Sequence, residues 1–375
     1  MKVALVCDWL TNVGGAEKVL LEFHKLYPKA PIYTSKYSKK GIDWFEGADV
    51  RTGWLQIFPV GLRRVLGPLR QRWFEKLDLS EYDLIISVTG AEAKSVKSGK
   101  WRAEHGMPSK NPQGIHISYC HVPTQYYWQM YDDYIEEPGF GILDPLVRFC
   151  FKLLVRPLKK ADYRASQVPE YFVTISDYAK DLIKKYYKRE ATVIHPPVET
   201  ADFKVKKAES SDYYIVTSRQ VNWKRLDLAV KACVKMGRSL YVVGEGPEHG
   251  KLVKMAGGSD LVKFIPLMNK KELSKLLAEA RGYIFPSKEP FGIAPVEALA
   301  AGCPVIAYGE GGALDYVTKQ NGVLFEKQTV KSLMEGITKF EKLKFDRDIV
   351  VGSAEKFSVK RFDREVGQFI DEKVD

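Results

Sequence analysis

Ten short apolar runs, alternating with stretches of helical spacing, constrain this chain more than any other property of it. In the first half they are Val3–Cys7, Ala30–Thr34, Asp83–Ser87, Ile115–Cys120 and Phe172–Ile175; in the second, Tyr213–Thr217, Ser239–Val243, Val262–Ile265, Tyr283–Phe285 and Val305–Ala307. Short continuous apolar runs suit strands covered on both faces, and the stretches between them suit the covering helices. Gly15–Leu26 is one such helix, with Val19, Leu20, Phe23 and Leu26 on one side. The alternation predicts an α/β architecture of parallel βαβ units. At 375 residues the chain is long enough for two domains of ordinary size. The best linker is Thr192-Val-Ile-His-Pro-Pro-Val-Glu199 with the polar stretch that follows to Ser211. We therefore expect domains at 1–197 and 198–355, each doubly wound, and a charged amphipathic helix over Ser358–Lys373 in a final segment 356–375. No internal repeat is visible.

Composition excludes several classes. With 45% apolar residues, 29 Gly and 19 Pro, the chain is neither fibrous nor disordered. No apolar run approaches the roughly 18 to 20 residues that span a bilayer. The N-terminal Met-Lys-Val-Ala-Leu-Val-Cys-Asp reads as a first buried strand rather than a signal peptide, so a cytoplasmic location is expected. Five scattered cysteines, at 7, 120, 150, 233 and 303, form no Cys-x-x-Cys and are expected as reduced core thiols. The net charge of +11 is concentrated locally. Residues 51–76 carry six basic groups against Glu75 alone, and residues 148–164 carry six against Asp162 alone. In the second segment Arg148, Lys152, Arg156 and Lys160 recur every four residues and line one helical face, with Phe149, Phe151, Leu153, Leu154 and Val155 on the others. Such a stripe suits an anionic membrane surface, at the inner face of the membrane, and equally a core-packed helix with a solvated basic side. Pro157 is expected to kink or end that helix. No nucleic-acid partner is expected.

The chemistry is most legible in Glu289-Pro-Phe-Gly-Ile-Ala-Pro-Val-Glu297, which runs on to Ala-Leu-Ala-Ala-Gly302-Cys-Pro304. A strand precedes it, and Gly302 and Pro304 are stop signals for the helix it opens. The Phe291, Gly292 and Ile293 amides would then head a helix and attract an anion. Carboxylates at 289 and 297 flank them, one placed for sugar hydroxyls and the other for a ribose. A diphosphate between two polyhydroxylated rings calls for that order of groups; the plainer alternative is a buried βα unit with two solvated glutamates.

This segment resembles the Glu-x7-Glu motif of retaining nucleotide-sugar glycosyltransferases with the GT-B fold, and looks most like glycosyltransferase family 4. The resemblance covers nearly the whole chain, most strongly residues 213–325. It implies two Rossmann-like domains facing a central cleft, with the chain's end crossing back to the first. Ser218-Arg219-Gln-Val-Asn-Trp-Lys224-Arg225 resembles the family's basic pair, implying that Arg219 and Lys224 hold the donor diphosphate and stabilise its departure. Gly14-Gly15-Ala16-Glu17 resembles the glycine turn that lies against the donor phosphate or the transferred sugar. Tyr119-Cys-His121-Val-Pro123-Thr-Gln-Tyr-Tyr-Trp128 resembles the segment of the cleft histidine, with Tyr126 and Trp128 as weaker acceptor contacts and core packing the equal alternative for Tyr126, Tyr127 and Trp128. Gly244-Glu-Gly246-Pro-Glu-His-Gly250 lacks dinucleotide-fingerprint spacing and reads as a structural turn. Val262–Ile265 with Pro266-Leu267-Met268 falls where the family's nucleobase packs.

These residues imply metal-independent, α-retaining transfer of a hexose from a nucleoside-diphosphate sugar, with no cofactor. Catalytic roles fall to His121, Glu289, Arg219 and Lys224; donor contacts fall to these and to Gly14, Gly15, Phe291, Gly292, Ile293 and Glu297. The surrounding motifs look most like bacterial mannosyltransferases of surface-polysaccharide assembly, implying GDP-mannose, with UDP-glucose as the alternative donor and a glycan or polyprenyl-linked acceptor. An epimerase or hydrolase on the same fold, and a non-catalytic binding module, are the readings from other classes.

Overall fold

The computed structural model describes residues 1–64, 66–136, 141, 144–205 and 211–374. Two units carry the fold: Met1–His195 with Asp363–Asp375, and Pro196–Phe362.

The first unit is built on a seven-stranded sheet of β1 (Val3–Cys7), β2 (Ile32–Thr34), β3 (Val50–Arg51), β4 (Leu84–Thr89), β5 (Ile115–Cys120), β6 (Tyr171–Thr174) and β7 (Thr192–Val193), in the order β3-β2-β1-β4-β5-β6-β7. The second has six strands, β8 (Tyr213–Thr217), β9 (Ser239–Val243), β10 (Val262–Ile265), β11 (Gly282–Phe285), β12 (Val305–Tyr308) and β13 (Gly322–Phe325), in the order β10-β9-β8-β11-β12-β13. Every described pairing is parallel. In each sheet the winding reverses once, beside β1 and β4 in the first and beside β8 and β11 in the second. Loops after neighbouring strands diverge there and leave a crevice.

Strand interiors are almost wholly apolar because helices cover both faces. In the second unit Val216, Val242, Ile284, Ile306 and Val323 pack against Leu228, Ala229, Leu333 and Ile337 of the covering helices. The Gly15–Leu26 helix has the expected bounds and buries Val19, Leu20 and Phe23, but Leu26, in its last turn, is exposed.

Three expectations need correction. Cys150 is exposed, unlike the other four cysteines, because it lies on the outer face of the Asp144–Ala165 helix. That helix does not end at Pro157 but continues to Ala165. The bond Pro157 cannot donate would have gone to Leu153, which is itself well exposed, so water can hydrate the freed carbonyl. Arg70 is not part of a surface patch: it is buried, its Nε donating to Glu92 at 2.6 Å.

A second internal pair, Lys94 with Asp162 at 2.6 Å, ties the same helix to the core. Asp162 also accepts from Thr124 Oγ1 at 2.7 Å, Trp128 Nε1 at 2.7 Å and the Tyr187 hydroxyl at 2.8 Å. Such a carboxylate is tolerable inside only because its partners are all present. Asp162→Ala should therefore lower stability by about 3–5 kcal/mol, leaving Lys94 unpaired and buried; the shift of the urea midpoint measures it.

Burial also pushes His116 down to about 3, its Nε2 lying 2.7 Å from Ser87 Oγ. A histidine held neutral in the folded chain contributes stability that is present above its unfolded pKa, near 6.5, and is lost as the pH falls towards the folded value. Between about pH 6.5 and 4 the slope reaches ~1.4 kcal/mol per pH unit. In His116→Gln the fall of the melting temperature over that window should be shallower than in the native chain by this one proton.

Candidate functional site

The crevice of the second unit collects most of the predicted donor residues. β8 ends at Thr217, and the loop after it carries Arg219 before a short 3-10 turn, Asn222–Lys224. The Tyr283 hydroxyl, from β11, donates to the Thr217 carbonyl at 3.0 Å and so joins the ends of the two diverging strands. β11 is followed by Ser287, Glu289 and the helix Ile293–Ala300, which Gly292 caps in a left-handed conformation (φ 93°). Only glycine fits there. A Cβ at 292 would fall 2.7 Å from the Phe285 ring, besides the strain of the positive φ. The amides of Gly292, Ile293 and Ala294 head this helix, and Pro295 at its third position has no N–H left to satisfy. At the other end Gly302 N bonds to Leu299 O and Cys303 N to Ala298 O, both at 2.9 Å, a complete Schellman stop.

Glu289 is the centre of this geometry. Its Oε1 accepts from Ser287 Oγ at 2.7 Å and its Oε2 lies 2.5 Å from Lys224 Nζ. The pair is partly exposed, at 22% and 19%, so a ligand can reach it. The backbone at Glu289 is clamped from behind: Gly312 N donates to Glu289 O at 2.8 Å, and a Cβ on Gly311 would come within 2.4 Å of that same oxygen. Tyr316 donates to Phe291 O at 3.0 Å. Glu297 sits half-buried one turn into the helix, and Arg219 is exposed, its guanidinium 5.7 Å over the Trp223 ring.

Beside the crevice, Gly244, Glu245, Gly246, His249, Phe264, Ile265 and Pro266 line a cavity of about 460 Å³. The glycines serve close packing. A Cβ at 244 or 246 would meet the carbonyls of Ser218 or Gln220 at 2.4 or 2.3 Å, so the loops after β8 and β9 can touch only through glycine. A larger groove of about 810 Å³ along Lys235, Val330, Met334 and Lys339 contains none of the predicted residues. The chain's one Asp-x-Asp spacing, Asp346-Arg347-Asp348, is a helix start: Asp346 accepts from the amides of Asp348 and Ile349 at 2.8 and 3.2 Å.

In the first unit the predicted residues gather where β1, β4 and β5 end. Gly14 caps the Gly15–Leu26 helix in extended backbone, so its lack of a side chain matters for space alone. A Cβ there would lie 2.7 Å from the Glu17 carboxylate. That buried acid makes this helix start a poorer seat for phosphate than for hydroxyl donors. His121 donates its backbone N–H to Thr89 O at 2.8 Å and sets its ring edge-on to Tyr119 at 5.6 Å. Its Nε2 is buried with no hydrogen-bond partner, and burial lowers its pKa to about 4 against the opposing pull of Asp8. The imidazole is therefore neutral at pH 7 and suited to hydrogen bonding.

Asp8 is the residue sequence reasoning passed over. It follows β1 directly and accepts from Thr89 Oγ1 at 2.9 Å and from the amides of Gly90, Ala91 and Ala93 at 3.0, 3.1 and 2.8 Å, so it orders the loop after β4. A buried acid immediately after the first strand was the available signal. Tyr126 and Trp128 spend their polar groups internally. The Tyr126 hydroxyl donates to Glu92 at 2.7 Å, the Trp128 indole to Asp162, and the Trp128 ring stacks on Tyr186 at 5.0 Å. Tyr127 is buried.

Comparison with known proteins places this geometry. Residues 197–357 match the family model described as glycosyl transferases group 1. Over 155 residues the chain is 31% identical to an uncharacterized glycosyltransferase, YqgM, of Bacillus subtilis (38% of this chain, 43% of that one). Over 300 residues it is 27% identical to the mouse (Mus musculus) alpha-1,3/1,6-mannosyltransferase ALG2 (68% of this chain, 67% of that one). The chain thus spans less than half the length of the first relative and about two thirds of the second. Among solved structures, Anabaena Alr3699/HepE, crystallised with UDP, superposes with a TM-score of 0.70 at 18% identity over 99% of this chain and 100% of that one. Residues 197–357 thus carry the match to the group 1 glycosyl transferase domain, within a chain whose two parallel sheets have the GT-B fold.

Proposed function

We propose that the protein is a retaining glycosyltransferase that moves a hexose, with mannose from GDP-mannose as the first choice, to a hydroxyl of a glycan or lipid-linked acceptor. The observation that carries this reading is the Lys224–Glu289 ion pair set at the head of the Ile293–Ala300 helix. A lysine and a helix start together make a diphosphate site, and a carboxylate held beside them is placed for sugar hydroxyls. Donor binding would exchange Lys224's partner: the diphosphate takes the ammonium, and Glu289, released on that side, accepts from the sugar. Arg219 and the Phe291–Ile293 amides share the diphosphate charge as the bond to the sugar breaks, which is where stabilisation accelerates the reaction. Glu297 would hold the ribose. His121, neutral and with an unsatisfied Nε2, would hydrogen-bond the hexose, and the Gly14–Gly15 turn would lie against it. Tyr126 and Trp128 would serve the acceptor with their ring faces, since their polar atoms are engaged. No divalent metal is assigned a role. Transfer on the face the diphosphate leaves would pass through a short-lived oxocarbenium ion pair, and a glycosyl–enzyme adduct seen by mass spectrometry would overturn that step.

Mannose is supported by the similarity to alpha-1,3/1,6-mannosyltransferases. Glu245, on the rim of the 460 Å³ cavity, supports the guanine base, because a carboxylate can take its N1–H and N2–H donors together. The second reading, a UDP-glucose donor, is supported by the fold neighbour having been solved with UDP-glucose. Without acceptor, a hydrolase would release free sugar and nucleoside diphosphate and an epimerase an epimerised nucleotide sugar, and product analysis distinguishes them.

Thermal unfolding with GDP, UDP or ADP, each with and without EDTA, tests the donor. A nucleotide at ~100 times its dissociation constant should add about 2.7 kcal/mol, seen as a rise in melting temperature. We expect this with GDP alone and unchanged by EDTA; a rise with UDP alone moves the donor to UDP-glucose, and none with any nucleotide sinks the transferase reading. Glu245→Gln should weaken GDP about tenfold or more while leaving UDP unchanged. Glu289→Gln should keep or improve GDP affinity, since it removes Lys224's competing partner, yet lower kcat on the order of 100-fold or more. Loss of GDP binding in that variant would overturn the proposed exchange of Lys224's partner, and an unchanged kcat would show that Glu289 does not act on the sugar.

A further inference from the structure

The Asp144–Ala165 helix presents its apolar side outward. At about 100° per residue, Val155 and Asp162 mark the face buried in the first unit. Leu146, Phe149 and Leu153 fall on the opposite side and Leu154 on its flank; they are 60%, 67%, 69% and 50% exposed. Four large apolar side chains over little more than two turns, all turned to solvent, are not the scattered exposure normal for a globular surface. Packing within the unit does not need them, because Phe151 on the inner side already meets Tyr127 and Tyr131 at ring distances of 6.4 and 5.6 Å.

The flank of this ridge decides what it fits. Lys152 and Arg156 are exposed along one edge of it and Lys160 at its C-terminal end, and residues 145–161 contain no acid at all. Arg148 is turned away, donating to the Glu136 carbonyl at 2.9 Å, and Lys159 lies over the Trp128 and Tyr131 rings at 5.2 and 5.0 Å, so neither is counted. Apolar residues that insert shallowly, bordered by cations that stay at headgroup level, match an anionic lipid surface in both chemistry and layout. Among the described residues no helix is long and apolar enough to cross a membrane, so contact through this helix would be interfacial. The 51–76 segment is not required, since Arg70 is internal and Arg51 is held by Asp49 at 2.7 Å.

We propose that the outer face of the Asp144–Ala165 helix is a membrane-docking surface that lies in the interface of an anionic bilayer, inserting Leu146, Phe149 and Leu153 and setting Lys152, Arg156 and Lys160 against lipid phosphates. The proposal stands on this helix alone and is independent of the donor chemistry above.

Co-sedimentation of the full chain with vesicles tests it, using phosphatidylcholine alone and phosphatidylcholine with one third phosphatidylglycerol. We expect binding to the anionic vesicles only, weakened by salt. The double variant Phe149→Glu, Leu153→Glu should lose it by at least about 100-fold, each side chain accounting for roughly tenfold or more. Lys152→Gln and Arg156→Gln should each weaken it about fivefold. All are surface changes, so an unchanged melting temperature confirms that folding is intact. No binding by the native chain, or binding that survives in the double variant, overturns the proposal. So does a native dimer by light scattering that the double variant dissociates, because the ridge would then be covered by a second copy.

Discussion

A parallel sheet with helices on both sides must reverse its winding somewhere, and at that reversal the loops after two neighbouring strands part from each other. Everything chemical in this chain hangs from that constraint, met once in each sheet. In the second unit the loops after β8 and β11 part, and Lys224 and Glu289 meet across the gap. In the first unit the loops after β1 and β4 part, and Asp8 closes the gap from beneath with hydrogen bonds to Thr89, Gly90, Ala91 and Ala93. One crevice is left with an ion pair that a ligand can open. The other is braced by a carboxylate that is already saturated.

Glycine makes the first of these arrangements possible in a different way at each position. Gly292 supplies a left-handed turn that aims helix amides into the crevice, while Gly311 supplies closeness, letting a second loop press on the backbone of Glu289. A side chain held by its own backbone, a serine and a lysine has little freedom to lose on meeting a substrate, which is the condition for electrostatic stabilisation to work without reorganisation.

The charged interior of the first unit follows the opposite logic. Arg70 with Glu92, and Lys94 with Asp162, are removed from water, and each carboxylate accepts from an aromatic residue of the 126–128 segment as well. Partners on both oxygens of each carboxylate fix the loop after His121 and the inner face of the Asp144–Ala165 helix in one arrangement, where an apolar core would tolerate several. The helix can therefore turn an apolar ridge outward without losing its seat.

Much of this was legible in the amino-acid order. Val3–Cys7, Ile115–Cys120, Tyr213–Thr217, Ser239–Val243 and Val262–Ile265 appear with their expected bounds, because strands of a sheet flanked by helices are short and mostly apolar. The Glu289–Glu297 spacing, its glycine and its stop signals likewise announced a helix start between two acids. The two-residue edge strands β3 and β7 were not legible, being too short to show a period, and β13 begins at the glycine of Asn321-Gly322, which reads as a turn. Nor could local pattern show that Arg70 and Lys94 are internal, that Asp8 is a brace, or that Lys224 and Glu289, 65 positions apart, would pair. Apolar periodicity is a property of each segment and its solvent, so the sequence by itself determined the elements and the identity of the reactive groups. Which charge meets which depends on strand order, and only the tertiary structure decided that.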